Sequence, residues 1–207
     1  MSAAIIQYTT ISQFNPIWSE EGNLALKSVG IFRPQLPNSP GAAFLGDYAQ
    51  GNTNPAQGSV LVVAGVLNDD PAKPALKPPV KFQKAWSYQI IQATPVRPGI
   101  FSRKNVGSKV LWYPVPPDGY VSCGWVASVI NVPDQFPEPT LPTFRCVHRD
   151  FCNVVSIPDA NFVWNDRFSG NPVDVSLWRV PGLFTMVGNN DEVNPPSPVW
   201  APNNVPQ

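Results

Sequence analysis

The 207 residues carry 14 basic and 14 acidic side chains, so no surplus of charge over the whole chain attracts nucleic acid or anionic lipid; only a local patch could. Charged residues make up 14% of the chain, against roughly a quarter in ordinary soluble domains, and 43% are hydrophobic, enough for a sizeable core. The 26 prolines and 14 glycines exclude a helix-rich fold, while seven tryptophans and eleven phenylalanines exclude a disordered chain.

The N-terminus, MSAAIIQYTTISQF, has no basic leader, no long apolar run and no small-residue cleavage site, so it does not read as a signal peptide. No stretch reaches the roughly 20 apolar residues of a membrane helix. The expected location is the cytoplasm, or outside the cell by an unconventional route. A first strand is expected over 4–10. A unit then opens at Trp18 with an acidic-glycine turn, continues through Phe32-Arg33-Pro34 and reaches Phe44-Leu45-Gly46-Asp47. The run SVLVVAGVL is short, β-branched and bounded by turns, which predicts a buried strand. A Pro/Lys/Asp loop follows over 68–79.

The second unit opens at Trp86 and carries an insertion that includes TPVRPGIFSRKN. It resumes at VLWYPVPPDGYVSCG, the densest turn-and-aromatic stretch of the chain. The run TFRCVHRDFCNVVSI reads as a strand followed by a loop or second strand. A third unit opens at Trp164, and a Pro/Asn-rich tail containing Val199-Trp200 ends the sequence.

Three landmarks recur in order. Trp18, Trp86 and Trp164 open the units; Phe32, Trp112 and Trp178 are the second aromatics; Gly46, Gly124 and Gly188 close the apolar runs FLG, YVSCG and FTMVG. The first two landmarks are fourteen residues apart in units one and three and twenty-six apart in unit two. Each unit reads as a short antiparallel sheet with one apolar face, which cannot stand alone in water. The expectation is therefore one all-β domain over 1–207, β-prism-like, with three antiparallel sheets in pseudo-threefold repeat at about 17–66, 85–156 and 163–200.

The string LWYPVPPDGYVSCGWV resembles the signature of the Vps62-type family, vacuolar protein sorting-associated 62, in Trp112, Pro114, Pro117, Gly119, Tyr120, Gly124 and Val126. Cys123 stands where that family usually has Leu. The run from Phe144 to Asp150 resembles a second family motif. Trp164, Asp166, Ser169, Gly170, Asp174, Ser176 and Trp178 resemble a third. The resemblance spans about 16–188 and implies a β-prism-like fold. Similar prisms occur as lectins and as membrane-targeting modules attached to perforin-like pore-formers.

Cys123, Cys146 and Cys152 are too few, and odd in number, for a secreted disulfide framework. On one extended strand Cys146 and Cys152 would lie roughly 20 Å apart, too far to bridge. The cysteines are read as reduced, with a bond from Cys123 to Cys146 or Cys152 left open. The single histidine, His148, sits between Cys146 and Asp150, but a zinc site needs three or four ligands and only Cys152 is nearby. No nucleophile elbow, phosphate loop or metalloprotease motif is present, so neither an enzyme, a metal nor a cofactor is expected.

Carboxylates and amides near turns are candidates for hydrogen bonds to sugar hydroxyls, with an aromatic against the sugar face. Asp47 and Tyr48 follow Gly46, Trp125 follows Gly124, and Asn189, Asn190 and Asp191 follow Gly188; these six are the candidate ligand-binding residues. The plainer reading is that Asn, Asp and Gly simply make turns. Trp125 and Trp200 lie off the repeat, and are better placed than the landmark tryptophans to touch something outside. The expected function is a non-enzymatic, lectin-like module, monomeric or oligomeric, that recognises a glycan or glycosylated membrane surface in defence or toxicity. The alternatives are a protein-interaction module in vacuolar or vesicular trafficking and a membrane-targeting partner of a pore-forming protein. No nucleic-acid partner is expected.

Overall fold

A computed structural model describes residues 3–20, 27–97 and 99–205. The turn expected at 20–22 and the stretch after it fall largely outside them. The described residues form strands and two short 3-10 turns, with no α-helix.

Three three-stranded antiparallel meanders carry the repeat. They are β2 (Phe14–Ser19), β3 (Gly30–Pro34) and β4 (Tyr48–Gln50); β7 (Lys81–Arg97), β8 (Ile100–Val115) and β10 (Val126–Ile130); and β13 (Phe162–Asn165), β14 (Ser176–Arg179) and β15 (Met186–Asn189). Smaller antiparallel sheets complete the fold. β1 (Ile5–Ile11) pairs with β5 (Val60–Leu67), and β12 (Cys152–Val155) pairs with β16 (Val199–Pro202). β11 (Cys146–His148) lies between β6 (Leu76–Lys77) and β9 (Tyr120–Val121).

The meanders match pair by pair. Pro16 faces Phe32, Lys84 faces Trp112 and Phe162 faces Trp178; one step later Trp18 faces Ile31, Trp86 faces Leu111 and Trp164 faces Leu177. One extra residue lies between the two steps in all three, a β-bulge that re-aims the following side chain. The opening tryptophans consequently meet at the centre, with ring centroids 6.4 Å apart for Trp18–Trp86 and 5.8 Å for Trp86–Trp164. Ile31, Leu111 and Leu177 are fully buried against them. The pseudo-threefold repeat is thus a property of the packing as well as of the sequence.

Beside the tryptophans a closed ring of backbone hydrogen bonds joins the units. Asp47 N–H donates to the Trp125 carbonyl (2.9 Å), Trp125 N–H to Met186 (2.6 Å) and Met186 N–H to Asp47 (2.6 Å). Gly46 and Gly124 precede two members of this ring, as their landmark role suggests. The third corner corrects the expectation. Leu177 pairs with Gly188, which sets Gly188 level with Ala49 and Ala127, and the residue preceding Met186 is Thr185. A Cβ on Gly46 would lie 2.8 Å from the Gly124 Cα and 3.0 Å from the Thr185 Cβ. The crossing therefore has room for one side chain, and Thr185 supplies it, donating its hydroxyl to the Cys123 carbonyl at 2.6 Å.

The prolines sit where a strand can spare a donor. Pro16 lies on the edge strand β2 at its bulge, and Pro114 lies on β8 beyond the reach of β10, whose pairing ends at Trp112. The run expected as a strand and then a loop or second strand is β11, a 3-10 turn over Arg149–Phe151, and β12. All three cysteines are buried free thiols. Burial pushes the Cys146 thiol up to about 12, and a hydrogen bond to the Cys152 thiol together with burial raises that of Cys123.

Candidate functional site

The six candidate residues divide sharply. Asp47 is fully buried and accepts Arg33 Nε (2.9 Å), Arg33 Nη2 (2.8 Å) and the Ala127 N–H (2.7 Å), so its carboxylate is occupied inside the fold. Burial raises its pKa, against the lowering pull of Arg33. Tyr48 is also buried, with its ring 5.1 Å from that of Phe14 and 6.3 Å from that of Phe32. Both belong to the corner that joins the first and second meanders, because Asp47 lies on the ring of backbone bonds and Tyr48 begins β4. Neither faces solvent.

Trp125 and Asn189 come together in an open cleft of about 330 Å³ between β15, β16 and the end of β8. Trp125 is held by both backbone bonds of the ring, and its indole lies against Gly188, where a Cβ would come within 2.4 Å of the ring. Gly188 is therefore a seat for Trp125. Tyr113 packs edge-on to that indole at 6.3 Å, and burial pushes the pKa of its phenol up. Trp200, on β16, forms another wall, half-buried, with the exposed Arg149 guanidinium 5.4 Å from its ring centroid.

Asn189 Nδ2 donates to the Asn194 carbonyl at 3.1 Å, and among the described residues nothing engages its Oδ1. Asp191 acts through this contact. It accepts Val193 N–H, Asn194 N–H and Asn194 Nδ2 at 2.7, 2.9 and 3.0 Å, closing a turn whose Asn194 carbonyl holds Asn189. Those hydrogen bonds hold the Asp191 carboxyl below its usual range. Asn190 is exposed on the same loop. The cleft combines aromatic walls with a few fixed polar groups, the usual make-up of a small-ligand site. A larger groove of about 520 Å³ along β2, lined by Phe14, Pro16, Phe32 and Asn54 among others, has no charged group among the described residues that line it.

Sequence reasoning missed Tyr113 and Arg149. Tyr113 was accessible: it follows the buried Trp112, and strand alternation puts it on the other face. Arg149 carried no signal, since its direction depends on the 3-10 turn. His148 in that segment is a packing residue, nearly buried, with its ring 5.0 Å from Tyr120 and Nδ1 accepting the Asp150 N–H at 3.2 Å. Elsewhere, Asp166, Asp174 and Glu192 bring carboxylate oxygens within 4.8 Å of one another. Both oxygens of Asp166 are already engaged at 2.9 Å, by Trp86 Nε1 and Val175 N–H, and Arg167 lies 3.8 Å from Glu192.

These features define an all-β module of three related meanders with an aromatic cleft on its surface. The model of the family described as vacuolar protein sorting-associated protein 62 matches residues 2–182, and the chain belongs to that family. Among solved structures, GNIP1Aa from Chromobacterium piscinae is similar with a TM-score of 0.67 and 24% identity over 92% of this chain, a likeness of fold. The match covers 34% of that chain, so this sequence spans about a third of its length. No curated protein matches. No helix among the described residues is long and apolar enough to cross a membrane.

Proposed function

We propose that the protein is a non-enzymatic, lectin-like module that binds a carbohydrate in the cleft between Trp125 and Trp200 without a cofactor. The observation behind this reading is the convergence there of the two tryptophans that stand outside the repeat, together with Tyr113 and Asn189. The landmark tryptophans are consumed by the core. Trp125 and Trp200 instead present indole surface beside fixed hydrogen-bonding groups, suited to a ring with one apolar face and a rim of hydroxyls. The free Oδ1 of Asn189 accepts a hydroxyl proton, and the phenol of Tyr113 donates or accepts.

The test is a glycan array followed by calorimetry on the best ligand. Trp200→Ala should weaken binding by at least tenfold. Asn189→Ala should cost about 1 kcal/mol, or roughly fivefold in affinity, the net worth of one hydrogen bond. Absence of any glycan binding up to millimolar ligand, or binding indifferent to both substitutions, would refute the proposal.

A further inference from the structure

The insertion in the second unit folds into an arm. β7 and β8 pair from Lys81/Val115 out to Arg97/Ile100, whereas β10 covers β8 only from Ser108 to Trp112. Beyond that, a two-stranded hairpin runs on alone for roughly 20 Å, at about 3.3 Å per residue. Its root is fixed by Asp134, whose Oδ1 accepts Gln89 Nε2 (3.5 Å) and Asn105 Nδ2 (3.2 Å). Outside the root the described residues from 91 to 104 are all exposed.

Two properties of this arm are unusual for a chain with no net charge. First, it exposes large apolar side chains at its tip: Val96 (60%), Ile100 (56%) and Phe101 (58%), with Ile91 (48%) lower on the arm. Pro95 pairs with Phe101, Ala93 with Arg103 and Ile91 with Asn105, so Ile91, Ala93, Pro95 and Phe101 share one face with Arg103 and Asn105 by the alternation of the pair. Second, no acidic residue occurs anywhere from 81 to 117, while Arg97, Arg103 and Lys104 flank the apolar tip. Among the described residues none of these three cations has a hydrogen-bonding or ionic partner.

We propose that the β7–β8 arm docks the protein on an anionic lipid bilayer. Val96, Ile100 and Phe101 enter the boundary between headgroups and acyl chains, and Arg97, Arg103 and Lys104 meet the negative headgroups. An apolar point ringed by unpaired cations is complementary to a surface with negative charge outside and hydrocarbon beneath. The arm does not span. A lone hairpin carries unpaired N–H and C=O groups along both edges, which hydrocarbon does not tolerate. The docking depth is therefore limited to the side chains of the turn.

The experiment is flotation of the purified protein with vesicles of phosphatidylcholine alone or with about 30% phosphatidylserine. Partition should be at least tenfold stronger on the anionic vesicles and should weaken as salt is raised, since the Debye length shrinks from about 10 Å at 0.1 M. Phe101→Asp should lower it at least tenfold, and the pair Arg103→Glu and Lys104→Glu should remove the preference for anionic lipid. All three positions are exposed, so the variants should keep the wild-type melting temperature. Trp200→Ala should leave partition unchanged, because these vesicles carry no sugar; loss of glycan binding and loss of docking are thereby separable. No partition, equal partition on both vesicles, or partition indifferent to Phe101→Asp would overturn the proposal. A dimer in light scattering that Phe101→Asp dissolves, with no vesicle binding, would assign the arm to self-association instead.

Discussion

Replacing Asp47 by alanine tests whether this residue belongs to the frame or to a binding site. The carboxylate accepts three hydrogen bonds, two from Arg33 on β3 and one from the N–H of Ala127 on β10, so it ties the first meander to the second. Arg33 Nη2 also donates to the Ala127 carbonyl at 2.8 Å. Truncation leaves a guanidinium whose side chain is 20% exposed without its counter-charge, and strands a buried N–H. Breaking a buried pair costs about 3–5 kcal/mol. The remaining bond from Arg33 and its partial exposure place this case near the lower end, about 3 kcal/mol. For a chain of this size that is a fall in melting temperature of roughly 6–12 °C. Calorimetry and urea denaturation measure it directly. The double variant Arg33→Met, Asp47→Leu should recover part of the loss, because it leaves neither charge buried alone. A cost below 1 kcal/mol for Asp47→Ala, or a variant of wild-type stability that has lost glycan binding, would refute this reasoning and return Asp47 to the ligand.

Gly124→Ala should destabilise by about 1–3 kcal/mol, since its Cβ would lie 2.6 Å from the Leu45 carbonyl oxygen and 2.7 Å from the Gly46 Cα, both backbone atoms. Gly65→Ala is the matched control: the nearest atom to its Cβ is the Gln7 Oε1 at 3.9 Å, and urea midpoints should not fall. Glu20 is nearly buried, and its Oε2 has no partner among the described residues. Burial raises its pKa from 4.5 to about 7, with Lys109 opposing and Asp166 adding to the rise. The folded state thus holds this proton to higher pH than the unfolded state. The stability from this group is complete below pH 4.5 and falls as pH rises through about 7, by roughly 2 kcal/mol after allowance for screening. Glu20→Gln should gain stability over the wild type at pH 8 relative to pH 5. Parallel urea curves for the two proteins at both pH values would contradict the assignment. Asp166 is shifted the same way by burial, so some slope should remain in the variant.

The repeat was readable because its landmarks are bulky. A tryptophan after a bulge leaves a trace that loop-length changes do not erase, and Trp18, Trp86 and Trp164 hold equivalent positions. The corner glycines were less reliable guides. A glycine marks a close approach without saying which one, and Gly188 makes room for Trp125 while Thr185 stands where a third corner glycine was expected. Asp47 misled for a related reason. Asp after Gly reads as a turn near solvent, whereas its true partner, Arg33, lies on the neighbouring strand and the pair closes inside the protein. TPVRPGIFSRKN was legible only as an insertion, with no element assigned to it; Pro95 is tolerated in a strand because the hairpin is two-stranded there and the register shifts beside it. For the cleft, Trp125 and Trp200 were visible as residues outside the pattern, and Asn189 as an amide in the loop after Gly188. Their meeting depends on β16 returning to pair with β12, which no local signal specifies.

The ring of bonds through Asp47, Trp125 and Met186 also bears on how the chain reaches its native state. Each meander is a local structure that can begin to form as soon as its strands exist. The ring is not local, because it needs a contact from every unit, and Met186 comes near the end of the sequence. Loop-closure entropy must be spent before those contacts return anything, which slows folding. During synthesis the first two meanders must therefore wait with their tryptophan faces uncovered until the third arrives. Apolar surface uncovered in that interval is of the kind that favours aggregation before folding is complete.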